Sequence, residues 1–103
     1  MTKNTILVCE DEDAIREFVV INLRRAGYEV VDVPNGEEAL RVYEERREEI
    51  GLALLDIMMP GIDGFEVCKQ LRARDKSVGI IMLSAKSQEM DKVGALMYGA
   101  DDY

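Results

Sequence analysis

Three short apolar segments, separated by stretches with helical spacing, constrain the fold of this chain more than any other feature. The segments are Thr5–Cys9, Leu52–Leu55 and Val78–Leu83. Continuous apolar runs of this length are typical of strands that are buried on both faces of a sheet. Strands that alternate with helices form right-handed βαβ units. The pattern therefore predicts an α/β domain in which helices cover both faces of a parallel sheet.

The stretches between these segments predict one further strand and three helices. Residues 28–33 alternate polar and apolar side chains, which is typical of an edge strand. The first helix ends at Gly27, the second runs from Glu37 to about Glu49, and the third opens at Asp63 and Gly64. In the first helix the residues that keep helical spacing are Ile15, Phe18, Val19, Asn22, Leu23 and Ala26. We expect one side of the second helix to carry Ala39, Leu40, Tyr43 and Ile50, and the inward face of the third to carry Phe65, Cys68 and Leu71.

The end of the chain predicts a last helix, capped by Ser87 and ending at Gly99, and then the approach to a fifth strand at Ala100–Tyr103. The weak, alternating second strand fits the edge of a sheet with the order 2-1-3-4. We therefore predict one domain over residues 1–103 with a flavodoxin-like, doubly wound parallel sheet. The fifth strand and its helix are expected to be incomplete or missing.

The amino-acid composition disfavours several classes of function. The net charge of −8, from 21 acidic and 13 basic residues, disfavours direct binding to nucleic acid or to an anionic membrane. No apolar run is long enough to span a bilayer and no signal peptide is evident, so we expect a cytoplasmic protein. The chain has no histidine, so its chemistry must depend on carboxylates and hydroxyls. Cys9 and Cys68 form no C-x-x-C pair and are expected to be buried thiols.

Polar side chains follow three of the predicted strands. Glu10 and Asp11 come after the first strand, Asp56 ends the third, and Ser84 follows the fourth. In doubly wound sheets, ligands bind beyond the carboxyl ends of the strands, at the point where the winding reverses. Adjacent strands lie about 4.8 Å apart, so the three carboxylates are expected to lie close together. Such a cluster must bind a cation or hold a proton, and Mg²⁺ suits oxygen ligands.

Blander explanations exist for each acid. Asp56 could end its strand only because the next loop meets solvent. Glu10 and Asp11 could be helix N-terminal acids that the helix dipole favours. Neither explanation accounts for all four polar positions. A carboxylate beside Mg²⁺ and a hydroxyl is suited to capturing a phosphoryl group as an acyl phosphate, with Ser84 donating a hydrogen bond to a phosphoryl oxygen.

Four segments of the chain carry a family resemblance. They are residues 6–12 (Ile-Leu-Val-Cys-Glu-Asp-Glu), 54–64 (Leu-Leu-Asp-Ile-Met-Met-Pro-Gly-Ile-Asp-Gly), 83–86 (Leu-Ser-Ala-Lys) and 99–103 (Gly-Ala-Asp-Asp-Tyr). In this order and spacing the chain resembles receiver domains of two-component response regulators over essentially its whole length. The last segment is similar to regulators whose second domain is a winged-helix DNA binder.

The resemblance implies a role for individual residues. Asp56 would accept phosphate from a histidine kinase or a phosphorelay protein. Glu10 and Asp11 would hold Mg²⁺, together with Asp56 and the backbone carbonyl of Met58. Ser84 would contact the phosphoryl group and move on activation, and Tyr103 would be the switch aromatic, unless it is an ordinary half-buried strand tyrosine. The domain would be no enzyme beyond its own phosphotransfer and dephosphorylation.

One family feature is missing from the sequence. The family has a lysine three residues beyond the position of Tyr103, and Lys86 belongs to a different loop. We therefore expect Mg²⁺ binding to persist and phosphoryl stabilisation to weaken. The alternative function is a truncated receiver fragment that serves in folding or oligomerisation, with impaired phosphorylation. An uncovered fourth strand would also be prone to self-association.

Two enzyme-like alternatives fit the sequence less well. A haloacid-dehalogenase-like phosphatase needs an Asp-x-Asp arrangement after its first strand, where this chain has Glu10 and Asp11. A flavodoxin-like FMN binder needs a Ser/Thr/Gly-rich loop at the same point, where this chain has four acids, and we discard it.

Overall fold

A four-stranded parallel sheet with three helices forms the described part of the molecule. The computed structural model describes residues 3–57, 59 and 61–83 of the chain. The elements are β1 (Thr5–Cys9), α1 (Asp13–Arg25), β2 (Glu29–Val33), α2 (Gly36–Arg46), β3 (Ile50–Asp56), α3 (Gly64–Arg74) and β4 (Gly79–Leu83). The strand order is β2-β1-β3-β4, which confirms the predicted sheet. The expected last helix and fifth strand lie outside the described residues.

Both faces of the sheet are buried, as the continuous apolar strands predicted. In β1, Leu7 and Cys9 belong to the larger cluster, which α2 and α3 cover with residues such as Tyr43 and Leu71. Ile6 and Val8 belong to a second cluster on the opposite face, and Val19 and Leu23 of α1 pack against it. The period-two alternation of a strand thus sends successive side chains into two different cores. The helices therefore hold the central strands from both sides.

Capping residues mark the ends of the helices near the predicted positions. Gly27 follows the C-cap of α1 with a φ of +98°, a left-handed conformation that favours glycine. The side chain of Asn35 caps α2 by accepting from the Glu38 amide at 2.8 Å. Asp63 caps α3 in the same way and accepts from the Glu66 amide at 2.9 Å. These caps fix where α2 and α3 begin relative to the strand ends.

The second helix is shorter than predicted, and the prediction for Ile50 is wrong. α2 ends at Arg46 and is followed by a turn, in which the Glu49 amide donates to the Arg46 carbonyl oxygen at 2.9 Å. Ile50 then begins β3 opposite Thr5 and is fully buried. Its burial in the sheet outweighs the helical propensity of the charged segment before it.

The first helix is confirmed, and not all of its regularly spaced apolar residues face the sheet. Phe18 is 69% exposed and Ile15 is 44% exposed, whereas Val20 is buried. Val19 and Leu23 do face the sheet, at the predicted spacing. At about 100° per residue, Phe18 lies about 160° from Val20 around the helix axis, so it lies outside the side that Val19, Val20 and Leu23 define.

Candidate functional site

The register of the strands brings three carboxylates together at the carboxyl edge of the sheet. Cys9 pairs with Leu55 across β1 and β3, so the next residues, Glu10 and Asp56, lie side by side at the end of these strands. Carboxylate oxygens of Glu10, Asp11 and Asp56 all lie within 4.8 Å of one another. Glu10 is buried, and Asp11 and Asp56 are half-buried. The sequence-predicted acids therefore form one compact cluster.

Glu10 is the most constrained member of the cluster. Its Oε2 accepts from the Glu12 amide at 3.2 Å, and its own amide donates to the Val33 carbonyl oxygen at 3.2 Å. Burial raises the pKa of Glu10 to about 7, and the adjacent carboxyl group of Asp56 adds to the rise. Near neutral pH the cluster thus holds a proton or a cation, as expected for crowded acids.

Arg16 is a residue of the site that the sequence reasoning missed. Its Nη1 donates to the Glu10 carbonyl oxygen at 2.7 Å, and its Nη2 lies 2.6 Å from Asp13. Its Nε lies 3.2 Å from Asp32, on the neighbouring strand β2. Hydrogen bonds and charge interactions with Asp13 and Asp32 raise the pKa of Arg16, and the two carboxylates balance its positive charge. Arg16 therefore holds the main chain of Glu10 in place from α1 and β2. The Asp13–Arg16 spacing of i, i+3 was the available signal.

The chain after Asp56 is connected to both neighbouring elements. The Ile57 amide donates to the Leu83 carbonyl oxygen at 3.2 Å, and the Gly64 amide donates to the Ile57 carbonyl oxygen at 3.1 Å. These bonds join the end of β3 to β4 and to the start of α3. The backbone that carries Asp56 is thus fixed on both sides.

Cys9 lies beneath the cluster and is an inert thiol. Its Sγ donates to Met59 Sδ at 3.4 Å, and both residues are buried. Burial raises the pKa of Cys9 to about 12, and the charges of Asp56 and Glu10 contribute to the rise. Cys68 is also buried and forms no disulfide. Both cysteines are therefore the buried thiols that the sequence predicted.

Three predicted site residues lie outside the described residues: Met58, Ser84 and Tyr103. Leu83, directly before Ser84, is paired with Asp56 across β3 and β4. The roles predicted for these three residues remain predictions.

The donor set of the cluster suits a hard divalent cation. All three side chains offer oxygen, the ligand atom that Mg²⁺ prefers, and Asp11 and Asp56 are open enough to leave room for water ligands. The chain has no histidine to attract a softer metal. The residues present therefore fit Mg²⁺, which would offset most of the charge of the three crowded carboxylates.

Comparison with protein families matches residues 6–103 to the family described as "Response regulator receiver domain". The chain is 48% identical to the alkaline phosphatase synthesis transcriptional regulatory protein PhoP of Bacillus subtilis over 98 residues, which are 95% of this chain and 40% of that protein. It is 44% identical to the sensory transduction protein RegX3 of Mycolicibacterium smegmatis over 99 residues, 96% of this chain and 42% of that protein. The chain thus spans about two fifths of the length of these curated relatives.

Solved structures show the same fold. The chemotaxis protein CheY4 of Vibrio cholerae superposes with a TM-score of 0.91 at 30% identity and covers 98% of this chain and 84% of its own. The BeF3-activated receiver domain of RstA from Klebsiella pneumoniae has a TM-score of 0.89 at 34% identity, covering 97% and 83%. Among the described residues, no helix is long and apolar enough to cross a membrane.

Proposed function

Because the chain belongs to the receiver domain family of response regulators, we propose that it accepts a phosphoryl group on Asp56, with Mg²⁺ held by Glu10 and Asp11. The observation that carries this proposal is the convergence of three carboxylates from two adjacent strand ends within 4.8 Å. One of them, Asp56, ends a strand whose backbone is fixed on both sides. Fixed geometry favours in-line attack by that carboxylate.

The proposed reaction uses the Asp56 carboxylate as the nucleophile. An Asp56 oxygen attacks phosphorus, the bond between phosphorus and the donor breaks, and the donor atom keeps the bonding electron pair. The product is an acyl phosphate on Asp56. Glu10, Asp11, Asp56 and the carbonyl of Met58 would hold Mg²⁺, which would offset the charge on the phosphoryl oxygens. The part of this chain is to orient the attacking oxygen and to bind the cation.

A conformational response completes the proposed function. Ser84 contacts the phosphoryl group and moves, and Tyr103 changes rotamer with that movement. The pairing of Asp56 with Leu83, the residue before Ser84, supports this proposed role of Ser84. Two structural relatives contain BeF3: the BeF3-activated receiver domain of RstA and the CheX-CheY-BeF3-Mg+2 complex from Borrelia burgdorferi.

The proposed phosphodonor is a histidine kinase or a phosphorelay protein, and the domain acts on no separate substrate. The donor class follows from the family, and the acidity of the chain argues against direct contact with nucleic acid. A cytoplasmic location stays a prediction. The comparisons do not favour the alternative of a folding or oligomerisation fragment, since family similarity extends across the whole site region.

Self-association through the fourth strand also stays a prediction. β4 pairs with β3, and within residues 3–57, 59 and 61–83 no strand pairs with its other edge. An open edge is a template for pairing with a second chain. Light scattering over a concentration series tests this, and a mass that remains monomeric at high concentration would exclude it.

Phosphorylation of Asp56 is tested by incubating the protein with acetyl phosphate and Mg²⁺ and measuring intact mass. We expect the wild type to gain one phosphoryl group that is labile to both acid and base, and Asp56→Asn to gain none. Asp63→Asn is the matched control, because Asp63 lies in the same connection and asparagine preserves its helix cap. Phosphorylation of the Asp56→Asn variant, or none in the wild type at any Mg²⁺ concentration, would refute the proposal.

A further inference from the structure

The connection between Asp56 and α3 is held by an element that the proposed reaction does not use. Met59 is buried against Cys9, and the Gly64 amide bonds to Ile57. Between these two points the chain passes through Gly61, whose φ is +77°. Its outer part therefore has to be fixed by contacts from outside the connection.

Glu37, in the first turn of α2, makes that contact. Its Oε1 accepts from the Ile62 amide at 3.2 Å. A side chain at Gly61 would begin 3.1 Å from the Glu37 Oε1 and 3.4 Å from its Oε2, so both carboxylate oxygens face the connection. Glu37 thus reaches across from one helix to the segment that precedes another.

The start of α2 holds Glu37 in the position from which it reaches the connection. Asn35 caps the helix through the Glu38 amide at 2.8 Å, which fixes the first turn. The side chain of the next residue, Glu38, turns away and pairs with Arg41 at 2.6 Å. Two adjacent acids in one turn therefore have different partners, and only one of them contacts the connection.

We propose that Glu37 is a positioning residue for the acid cluster. By accepting the Ile62 amide, it holds the segment after Asp56 in the geometry in which the cluster binds Mg²⁺. This inference rests on the proposed function, since it assigns Glu37 a part in the same site. Its carboxylate acts through the Ile62 amide and does not bind the cation.

The test compares Mg²⁺ affinity, by calorimetry, in the wild type and in Glu37→Ala, Glu37→Gln and Glu38→Ala. A solvent-exposed hydrogen bond to a carboxylate contributes modestly, so we expect Glu37→Ala to weaken Mg²⁺ binding about fivefold. Glutamine keeps an acceptor oxygen, so Glu37→Gln should stay within about twofold of the wild type. Glu38→Ala removes the same charge from the same turn and should have no effect.

A second readout is independent of Mg²⁺. The amide proton of Ile62 should shift upfield and exchange faster with solvent in Glu37→Ala, and both effects should be reversed in Glu37→Gln. Equal Mg²⁺ affinity in the wild type and Glu37→Ala, or equal weakening by alanine and glutamine, overturns the positioning role. Failure of the wild type to bind Mg²⁺ overturns instead the proposed function on which the inference rests.

Discussion

Replacing Gly64 with alanine should damage the acid cluster, because this glycine lies against the backbone of Asp56. A Cβ at Gly64 would lie 2.8 Å from the Ile57 Cα and 2.9 Å from the Asp56 carbonyl carbon, and closer still to the Asp56 carbonyl oxygen. Carbon atoms in ordinary contact are about 3.5–4.0 Å apart. The end of β3 and the start of α3 must therefore separate by roughly 0.5–1 Å to admit one methyl group.

That separation has two measurable consequences. Overpacking of this kind costs about 1–3 kcal/mol in the free energy of unfolding, which urea denaturation followed by circular dichroism will measure. Mg²⁺ needs oxygen ligands at about 2.0–2.1 Å in near-octahedral geometry, so a shift of Asp56 by this amount should weaken Mg²⁺ binding about tenfold or more. Isothermal titration calorimetry measures the second effect directly.

Gly79→Ala is the matched control, since its added Cβ meets a side chain that can move. The nearest atom is the Leu52 Cδ1 at 3.1 Å, at the end of a flexible side chain. We expect a change in stability within about 1 kcal/mol and unchanged Mg²⁺ affinity. If Gly64→Ala matches the wild type in both measurements, or if the two variants lose Mg²⁺ affinity equally, then close packing of Gly64 on Asp56 does not support the site.

Three further perturbations have outcomes that follow from the structure. Hydrogen-bond donors on Tyr43 and Ser77 hold the pKa of Asp75 below its usual range. Asp75 therefore stabilises the fold above pH about 4, and it does so less as the pH falls. The difference in melting temperature between the wild type and Asp75→Asn should shrink below that pH, and a constant difference would contradict this. In metal-free buffer the pKa of Glu10 is raised from an ordinary 4.5 to about 7, so the folded state binds more protons than the unfolded state. The free energy of unfolding should therefore fall as the pH rises from about 4.5 to about 7. Glu10→Gln should flatten this pH dependence of the urea midpoint, and an unaltered slope would rule out Glu10 as its source. Leu71 is fully buried, so Leu71→Ala should lower the free energy of unfolding, measured with urea, by about 2–5 kcal/mol. Phe18 is exposed, so Phe18→Ala should lower it by less than about 0.5 kcal/mol. Equal losses would show that Phe18 is covered in solution.

The sheet and the acid cluster were predictable because they depend on periodicity and on strand ends. Apolar runs fixed which segments are buried on both faces, and the rule for parallel sheets brought Glu10 and Asp56 to the same edge. Neither inference required knowledge of a particular side-chain contact. For that reason the order β2-β1-β3-β4 followed from the amino-acid sequence alone.

What sequence reasoning missed depends on rotation and on contacts between distant residues. Phe18 fits a helical spacing, but the inner side of α1 is decided by which rotation buries Val20. Ile50 fits the period of α2, but the helix ends before it reaches that residue. Arg16 and Glu37 were not singled out in the sequence, because the backbone groups that they contact, the Glu10 carbonyl and the Ile62 amide, are brought near them only by the fold.

The sulfur pair of Cys9 and Met59 has a consequence for how the acid cluster can be neutralised. A thiol that stays protonated and a thioether form an apolar floor under three negative charges, and such a floor supplies neither a cation nor a strong hydrogen-bond donor. The groups that reduce the repulsion among the three carboxylates must therefore lie at the edge of the site or come from solvent. Cation occupancy then follows the ionic content of the surrounding solution.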